Sequence, residues 1–368
     1  MIESEEAVVV DIERQRDELV ERLFAASLGM GELITVYLGD TLGFYRILDR
    51  VGPTSSAELA KEAGTFERLT REWLEQQAAA GILEVVDVSA DADERRYRLP
   101  AGHVEPLLDL DSPYSMAPVC KSFVAVSSVT PELVAAFRSG AEVPWTSYGR
   151  DMIEAQGNFN RPWLVASLGT EYLPSIPDIH ERLQESGARV ADVACGVGWA
   201  AISLARAYPN ITVDGFDLDE LSIEIASKNA EEAGVADRVR FEAKDAADTA
   251  LENRYDFAMV VESIHDMSQP VAVLGAIRNM LKPGGTVIVA DERTEDAFTA
   301  PASETERFFY AYSVVCCLPS ALEDATSAAT GTVMRRSTFE RYATNAGFDE
   351  VSVLPIEHDF LRFYRLDR

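Results

Sequence analysis

Short apolar runs and amphipathic segments alternate along the second half of the chain. Apolar runs of about four to eight residues indicate buried strands, whereas apolar residues that recur every three or four positions indicate helices packed by one face. The alternation is typical of a parallel sheet that carries helices on its faces. Two further apolar runs, at 351–354 and 360–364, predict a strand pair that closes the sheet. The five parallel strands are predicted near 188–194, 211–217, 238–243, 255–262 and 285–291.

The N-terminal third follows a different pattern. Apolar residues recur at helical spacing over 17–50, which predicts one or two helices with one buried face. Residues 54–61 begin with helix-capping side chains, and 67–80 continue as a second helix after a turn. Two short runs, 81–86 and 95–99, then predict strands around an acidic loop. A helix-turn-helix followed by a strand pair is a winged-helix arrangement.

The charges of the second helix decide whether this winged helix binds DNA. That helix carries Glu67, Glu72 and Glu75 beside its arginines, and the loop between the predicted strands is acidic at 91–94. The whole chain has 62 acidic and 33 basic residues, which gives a formal net charge of -29. Because phosphate binding needs clustered lysine and arginine, we expect no nucleic-acid partner.

The net negative charge also bears on the ionic strength at which the protein is stable. So acidic a surface repels itself at low ionic strength, but near 1 M salt the screening length falls to about 3 Å. A salt-adapted, possibly halophilic protein is one hypothesis, and an ordinary acidic protein is the alternative.

Length and composition limit the number of domains, the location of the protein and the chemistry of its cysteines. A chain of 368 residues, 47% of them apolar, is long enough for two globular domains. No apolar stretch approaches the length needed to span a membrane, and the acidic N-terminus differs from the basic start of a signal peptide. The four cysteines form no Cys-x-x-Cys pair, so we expect neither disulfides nor a metal site, and a cytoplasmic location. The adjacent Cys316 and Cys317 are expected to pack in an apolar core or lid.

Residues from about 107 to 185 have a mainly helical pattern and are rich in aromatic side chains. Aromatic clusters at helical spacing usually belong to a core, but a segment that joins two domains can also wall a substrate pocket. The pocket candidates are Tyr148, Phe159, Arg161 and Trp163.

The strongest local signature lies at 190–217. An apolar run there ends in a glycine turn, a helical segment follows, and a second apolar run ends at Asp217, nineteen residues after Gly198. In this order of elements the glycines let the backbone approach a nucleoside, and the acid can hold ribose hydroxyls. The glycine spacing also fits a dinucleotide site, so an NAD(P)-dependent oxidoreductase is an alternative. Asp192, just before the turn, would face an ammonium group better than a pyrophosphate.

Two more motifs follow this unit, Val261-Glu262-Ser263-Ile264-His265-Asp266 and Leu281-Lys282-Pro283-Gly284-Gly285. Together the three motifs resemble the class I S-adenosylmethionine-dependent methyltransferases over 189–368. The N-terminal part resembles the winged-helix dimerisation domain of small-molecule O-methyltransferases. The resemblance implies an α/β fold with a Rossmann-like sheet and a closing antiparallel strand pair, a mostly helical winged-helix domain, and a homodimer. The expected domains are 1–105 (winged helix, dimerisation), 106–186 (helical linker and substrate wall) and 187–368 (S-adenosylmethionine binding, with a helical insertion at 293–335).

The implied reaction is methyl transfer from S-adenosylmethionine to a small molecule, most often at an oxygen; nitrogen, carbon and sulfur acceptors stay open. A further alternative is a winged-helix transcriptional regulator that binds S-adenosylmethionine as a signal. A basic recognition helix would distinguish that alternative, and the sequence lacks one.

The resemblance also assigns the cofactor site, residue by residue. By position in the family, the methionine part would contact Asp192, Ala194, Cys195, Gly196, Gly198, Glu262 and Ser263, and the adenosine part Asp217, Leu218, Asp245 and Ala246.

His265 is the candidate general base, because in the resembling O-methyltransferases a His-Asp pair follows the fourth strand. Imidazole suits the task, since its ordinary pKa of about 6.5 lies near working pH. Asp291, at the end of the predicted fifth strand, would orient the ring, with Glu292 as an alternate. In the alternative interpretation His265 only lines the pocket.

Overall fold

The computed structural model describes residues 5–245, 252–323 and 325–368, with the backbone alone described for 5–10. The contacts divide the chain into two compact units, Met1–Val124 and Ala125–Arg368. The segment predicted as a linker, 106–186, is mainly helical, and its helices are divided between the two units.

The first unit consists of helices and a small sheet. Its elements are α1 Glu5–Thr41, α2 Phe44–Val51, β1 Thr54–Ser55, α3 Ser56–Ala63, α4 Glu67–Ala79, β2 Glu84–Val85, β3 Arg96–Arg98 and α5 Ala101–Leu108. The three strands pair antiparallel in the order β1-β3-β2. This confirms the winged-helix prediction, although the two predicted strands are shorter than expected and β1 was expected only as a helix cap.

Local hydrogen bonds explain where the helix-turn-helix begins and how α4 is held. Ser55 caps α3 in a capping box, in which its amide N–H donates to the Glu58 carboxylate at 2.9 Å. Helix α4 packs on α1 at Gly39, where a Cβ would overlap the Trp73 ring. The Trp73 indole N–H donates to the carbonyl of Thr35 at 2.8 Å. The predicted second helix is therefore anchored by its buried face.

The second unit is built on one seven-stranded sheet. Its strands are β4 Arg189–Val193, β5 Thr212–Asp217, β6 Val239–Ala243, β7 Tyr255–Val261, β8 Leu281–Glu292, β9 Val351–Val353 and β10 Leu361–Asp367. Their order across the sheet is β6-β5-β4-β7-β8-β10-β9. The first five are parallel, and β10 runs antiparallel to both β8 and β9. The Rossmann-like sheet and its closing antiparallel pair are confirmed.

Both faces of this sheet are buried, as a parallel sheet requires. Alternate residues of β7 enter different cores: Phe257 and Met259 pack in one apolar cluster, and Ala258 and Val260 pack in the other. The helices of this region are α6 Ala117–Ser128, α7 Thr130–Ser139, α8 Gly149–Trp163, α9 Pro177–Gln184, α10 Trp199–Ala207, α11 Glu220–Glu232, α12 Pro270–Met280, α13 Glu304–Tyr312, α14 Leu318–Ser320 and α15 Arg336–Asn345.

Two segments depart from regular helix. Leu164–Tyr172 and Ser313–Cys317 are π-helical, and each continues a preceding α-helix. The insertion predicted as helical at 293–335 is helical only over its middle, 304–320, because the described residues on either side of that stretch form no helix.

The Leu-Lys-Pro-Gly-Gly motif does not precede the fifth strand but lies within it. Strand β8 pairs with β7 at Leu281 and again from Thr286, so the intervening residues bulge out of the ladder. Gly284 has a φ of 78°, which an L side chain rarely adopts. The Lys282 ammonium binds the Asp256 carboxylate at 2.8 Å and fixes the bulge to β7.

No single described helix is both long and apolar enough to cross a membrane, and only the bent pair α6 and α7 passes such a test jointly, by length and composition.

Candidate active site

The carboxyl ends of the parallel strands meet at one edge of the sheet, and the predicted site residues follow those ends. The turn between β4 and α10 has φ values of 55° at Ala194, 51° at Gly196 and 85° at Gly198. A Cβ at Gly198 would overlap the Phe241 ring, so glycine is required there. A Cβ at Gly196 would meet no atom within 4 Å, so open space lies over the turn.

Asp217, at the end of β5, ties the turn to the neighbouring strand. Its two carboxylate oxygens accept the backbone N–H of Gly196 at 2.8 Å and that of Asp219 at 3.0 Å. Burial raises the pKa of Asp217 above its ordinary value, against these hydrogen bonds. Leu218 beside it is 73% exposed, an uncovered apolar side chain at the rim of the turn.

The predicted adenine-binding pair lies just past β6. The Lys244 N–H donates to the Asp217 carbonyl at 2.6 Å and so brings this segment beside the ribose candidate. Asp245 is exposed there, and Ala246 lies outside the described residues.

Asp192 is 1% exposed and accepts the backbone N–H of Ala201 at 3.0 Å, within the first turn of α10. Burial, followed by the charge of Asp217, raises the pKa of Asp192 to about 7, although the Ala201 hydrogen bond acts in the opposite direction. Cys195 is buried, and its N–H donates to the carbonyl of Phe216 at 3.0 Å. Asp192 therefore ties the turn to α10, and Cys195 ties it to β5.

Glu262 follows β7 with a φ of 46°, a strained backbone for a non-glycine residue. One of its carboxylate oxygens accepts two amide donors from α8, Gln156 at 2.8 Å and Asn160 at 2.6 Å. Burial raises the pKa of Glu262 to about 7, against the Asn160 hydrogen bond. Sequence reasoning missed these two amides as site residues, because nothing in the sequence connects α8 with the end of β7. The next residue, Ser263, is buried, and its hydroxyl has no hydrogen-bond partner among the described residues.

His265 and the two acids at the end of β8 form a buried cluster. His265 is 2% exposed and Asp291 is 1% exposed. The ring nitrogen Nδ1 lies 2.8 Å from an oxygen of Asp291 and 2.8 Å from an oxygen of Glu292. Only the contact with Asp291 has hydrogen-bond geometry, and Glu292 Oε2 has no hydrogen-bond partner among the described residues.

The two acids make the ring more basic. Burial alone would lower the pKa of His265, but the charges of Glu292 and Asp291 outweigh it and raise that pKa well above its usual range. Burial and the neighbouring Asp291 raise the pKa of Glu292, whereas the His265 ring lowers the pKa of Asp291 against its burial. The acids therefore hold the ring in place and strengthen it as a proton acceptor.

The same three side chains place donor atoms within 4.8 Å of one another, a spacing that a metal ion could also use. The nitrogen that such an ion would need already faces both carboxyl groups at hydrogen-bond distance. A ring N–H accounts for the contact, and we assign no metal here.

The two adjacent cysteines pack in an apolar core, as expected. Cys316 is buried, and the half-buried Cys317 packs against the same apolar cluster. The backbone of the insertion is tied to the site, because the Gly331 N–H donates to the His265 carbonyl at 2.9 Å. Nothing in the sequence indicates this hydrogen bond, which joins residues 66 positions apart.

The predicted pocket residues lie on α8 and just before it. Tyr148 is buried, and its hydroxyl donates to the carbonyl of Val315, in the π-helical segment that carries the two cysteines. The remaining three make ring contacts: Phe159 with Phe360, Arg161 with Trp199 at 4.1 Å, and Trp163 with Tyr172, His358 and Phe363. Tyr148 thus lies beside this π-helical segment, whereas Trp163 packs among core aromatics.

Comparison with known proteins agrees with the two units. Residues 184–338 match the family described as methyltransferase domain, and residues 31–108 match the Rv2258c-like winged HTH domain. The ubiquinone biosynthesis O-methyltransferase of Cereibacter sphaeroides is 30% identical over 163 residues, 44% of this chain and 64% of that relative. The chain spans less than two thirds of the length of the curated relatives that it matches first.

Solved structures share the fold over almost the whole chain. PigF with SAH has a TM-score of 0.69 and 19% identity, and the match covers 95% of this chain and 99% of PigF. Human N-acetylserotonin methyltransferase in complex with SAM has a TM-score of 0.66 and 16% identity, with 95% and 97% covered. At these identities the likeness is one of fold. The second unit of this chain is thus similar to the methyltransferase domain family, and the first unit is similar to the Rv2258c-like winged HTH family.

Proposed function

We propose that this chain is an S-adenosylmethionine-dependent methyltransferase that methylates an oxygen atom of a small molecule. The observation that carries the proposal is the buried His265–Asp291 pair, 2.8 Å between donor and acceptor, at the same sheet edge as the glycine turn and Asp217. The matched methyltransferase domain supports the same conclusion.

The residues around the turn fit a cationic nucleoside. Open space lies over Gly196, and the buried Ser263 hydroxyl and Trp199 indole N–H have no hydrogen-bond partner among the described residues. Asp192 and Glu262 are buried carboxyl groups, which a nearby positive charge would hold in the ionised form. The bound donor would supply an activated methyl group on a sulfonium, together with its own leaving group.

The protein must then aim the acceptor and remove its proton. Asp291 holds the His265 ring through Nδ1, so the other ring nitrogen, Nε2, is the one available for proton transfer. A positioned base of this kind typically contributes about 10²–10⁴-fold to the rate. Holding both reactants in a near-attack arrangement can contribute roughly 7–11 kcal/mol more.

The exposed apolar side chains of helix α1 support a homodimer. Six large apolar side chains on this helix are 53–65% exposed, and such a stripe usually marks a protein–protein contact. We infer that a second copy covers it, as the winged-helix O-methyltransferases imply. The six residues are Ile12, Leu19, Val20, Leu23, Phe24 and Leu28.

The winged helix is better suited to such a structural role than to DNA. The arginines of α4 and of the wing are paired with acids of α4, which leaves little positive charge for phosphate. The pairs are Arg68 with Glu72, Arg71 with Glu67 at 3.5 Å, and Arg95 with Glu75 at 3.0 Å. The four thiols are free, which fits the reducing cytoplasm that we propose as the location.

Calorimetry tests the proposal directly. S-adenosylhomocysteine should bind the purified chain, whereas NAD should not. Asp217→Asn should weaken that binding at least about tenfold, because two backbone N–H groups and the ribose lose a carboxylate acceptor.

Glu220→Gln is the matched control, since it removes one charge three residues later at an exposed position. Absence of S-adenosylhomocysteine binding by the wild-type chain would overturn the proposal, and binding of NAD instead would favour the oxidoreductase. Salt-sensitive DNA binding in a gel shift would favour the regulator.

A further inference from the structure

Two amide side chains of helix α8 meet the carboxyl group that follows β7. Gln156 and Asn160 lie four residues apart, so their side chains leave the same face of the helix. Both amides donate to one oxygen of Glu262, at 2.8 Å from Gln156 and 2.6 Å from Asn160. The other oxygen of Glu262 receives neither of these hydrogen bonds. The carboxylate is thus held at one oxygen and can accept a further donor at the other.

The amide of Asn160 has a fixed orientation. The Trp163 indole N–H donates to the Asn160 Oδ1 at 3.0 Å, so the amide nitrogen is the atom that faces Glu262. The Trp163 ring in turn packs edge-on against Phe363 of β10 and contacts the ring of Tyr172. Asn160 is 8% exposed. A buried amide with partners on both its oxygen and its nitrogen cannot rotate without losing hydrogen bonds, so Glu262 meets a donor that is already in place.

Helix α8 also lies directly against the glycine turn between β4 and α10. A Cβ at Gly157 would overlap the side chain of Val197, which belongs to that turn. One turn of the helix further on, the Arg161 guanidinium lies 4.1 Å from the centre of the Trp199 ring, at the start of α10. The helix therefore contacts both the turn and the end of β7.

The order of the strands indicates which part of the methyl donor Glu262 would meet. Asp217 ends β5, the glycine turn follows β4, and Glu262 follows β7, and these three parallel strands are neighbours in the sheet. Neighbouring strands lie about 4.8 Å apart, so the ends of β5 and β7 are separated by about 10 Å across the sheet. With its ribose at Asp217, the donor would extend over the turn and bring its amino-acid end toward Glu262.

We propose that Gln156 and Asn160 are positioning residues for the methyl donor, which hold Glu262 so that its second oxygen accepts the α-ammonium group of S-adenosylmethionine. This inference rests on the proposed methyl transfer. Burial penalises the charged form of the Glu262 carboxyl group, and an amide hydrogen bond offsets part of that penalty. Without the amides the group would keep its proton and bind an ammonium group less tightly. Helix α8 is then part of the donor site as well as a wall for the acceptor.

Calorimetry with two ligands tests the role of the amides. S-adenosylhomocysteine carries the α-ammonium group, whereas 5′-methylthioadenosine has the same nucleoside and a thioether but no amino-acid part. Gln156→Met and Asn160→Leu each remove one amide and keep most of the side-chain volume. Each should weaken the binding of S-adenosylhomocysteine by at least about tenfold, because the ammonium group loses a charge-assisted partner. The affinity for 5′-methylthioadenosine should stay within about threefold of wild type.

Asn158→Leu is the matched control, because Asn158 is the same residue type on the same helix and donates no hydrogen bond to Glu262. Both ligands should bind this variant as they bind the wild type. Asn160→Leu also leaves the Trp163 indole N–H without its acceptor, so Gln156→Met decides the question if the first variant does not fold.

Equal losses of affinity for the two ligands would show that the amides only support the fold, and would overturn the inference. Wild-type affinity for S-adenosylhomocysteine in the folded variants would overturn it as well. A wild-type chain that binds neither ligand would instead refute the methyltransferase proposal.

Discussion

Replacing His265 by asparagine separates the chemistry of the ring from its part in the fold. An asparagine amide can still donate to Asp291, but it offers no base to the methyl acceptor. Turnover should fall by about 10²–10⁴-fold, equivalent to roughly 2.7–5.4 kcal/mol of transition-state stabilisation. Affinity for S-adenosylhomocysteine should stay within about threefold of wild type, since the turn and Asp217 are untouched.

His265→Ala serves as the comparison because it removes the donor as well. The ring is 2% exposed and its partner Asp291 is 1% exposed, so alanine leaves a buried carboxylate without its cation. Breaking such a pair costs about 3–5 kcal/mol, and in a domain of this size that lowers Tm by roughly 6–20 °C. Asparagine should keep most of that stability.

Both variants are measured by the S-adenosylhomocysteine formed with a hydroxyl-bearing acceptor, by calorimetry and by thermal melting. Wild-type turnover in the asparagine variant would show that the ring only lines the pocket. An unchanged Tm in the alanine variant would show that the His265–Asp291 contact carries no charge.

Three further outcomes are expected. Asp192 and Glu262 hold a proton up to about pH 7 when folded but lose it near pH 4 when unfolded, so folding takes up protons in that window. The free energy of unfolding of the ligand-free chain should therefore fall between pH 5.5 and 7.5, by at most about 1.4 kcal/mol per pH unit and group. The affinity for S-adenosylmethionine should rise over the same range. Thermal melting and calorimetry at five pH values check the direction of both changes. Leu23→Asp with Phe24→Asp should convert a dimer into a monomer by light scattering, and an unchanged mass would remove the α1 interface. Tm should rise between low salt and about 1 M KCl if the charge of -29 is a salt adaptation, and a flat curve would leave only an ordinary acidic protein.

The sequence predicted the sheet well because the sheet is periodic. Each apolar run that was expected as a strand is one, and the order of glycine turn, Asp217 and closing pair follows from motifs that are local in sequence. The pairing of His265 with Asp291 was also expected from the resemblance, and it joins the loop after β7 to the end of the neighbouring strand β8. These features depend on contacts within one strand or between adjacent strands.

What the sequence could not predict depends on irregular backbone or on distant segments. The sequence at Lys282–Gly285 indicates a turn. In the structure it is a bulge, and the residues on both sides of it belong to the same strand, β8. The amides of Gln156 and Asn160 reach Glu262 from a helix about a hundred positions away. The Gly331 N–H reaches the His265 carbonyl from an insertion, 66 positions further along the chain. Residue propensity and periodicity carry no information about which distant segments come into contact.

Strand β10 lies between β8 and β9 but is made after both of them. Its Leu361 and Phe363 fill one apolar cluster, and its Tyr364 and Leu366 fill the other. While a ribosome is still adding these residues, both clusters lack a wall and the backbone of β8 can pair with any extended segment nearby. The second unit therefore completes neither apolar cluster until β10 has been synthesised.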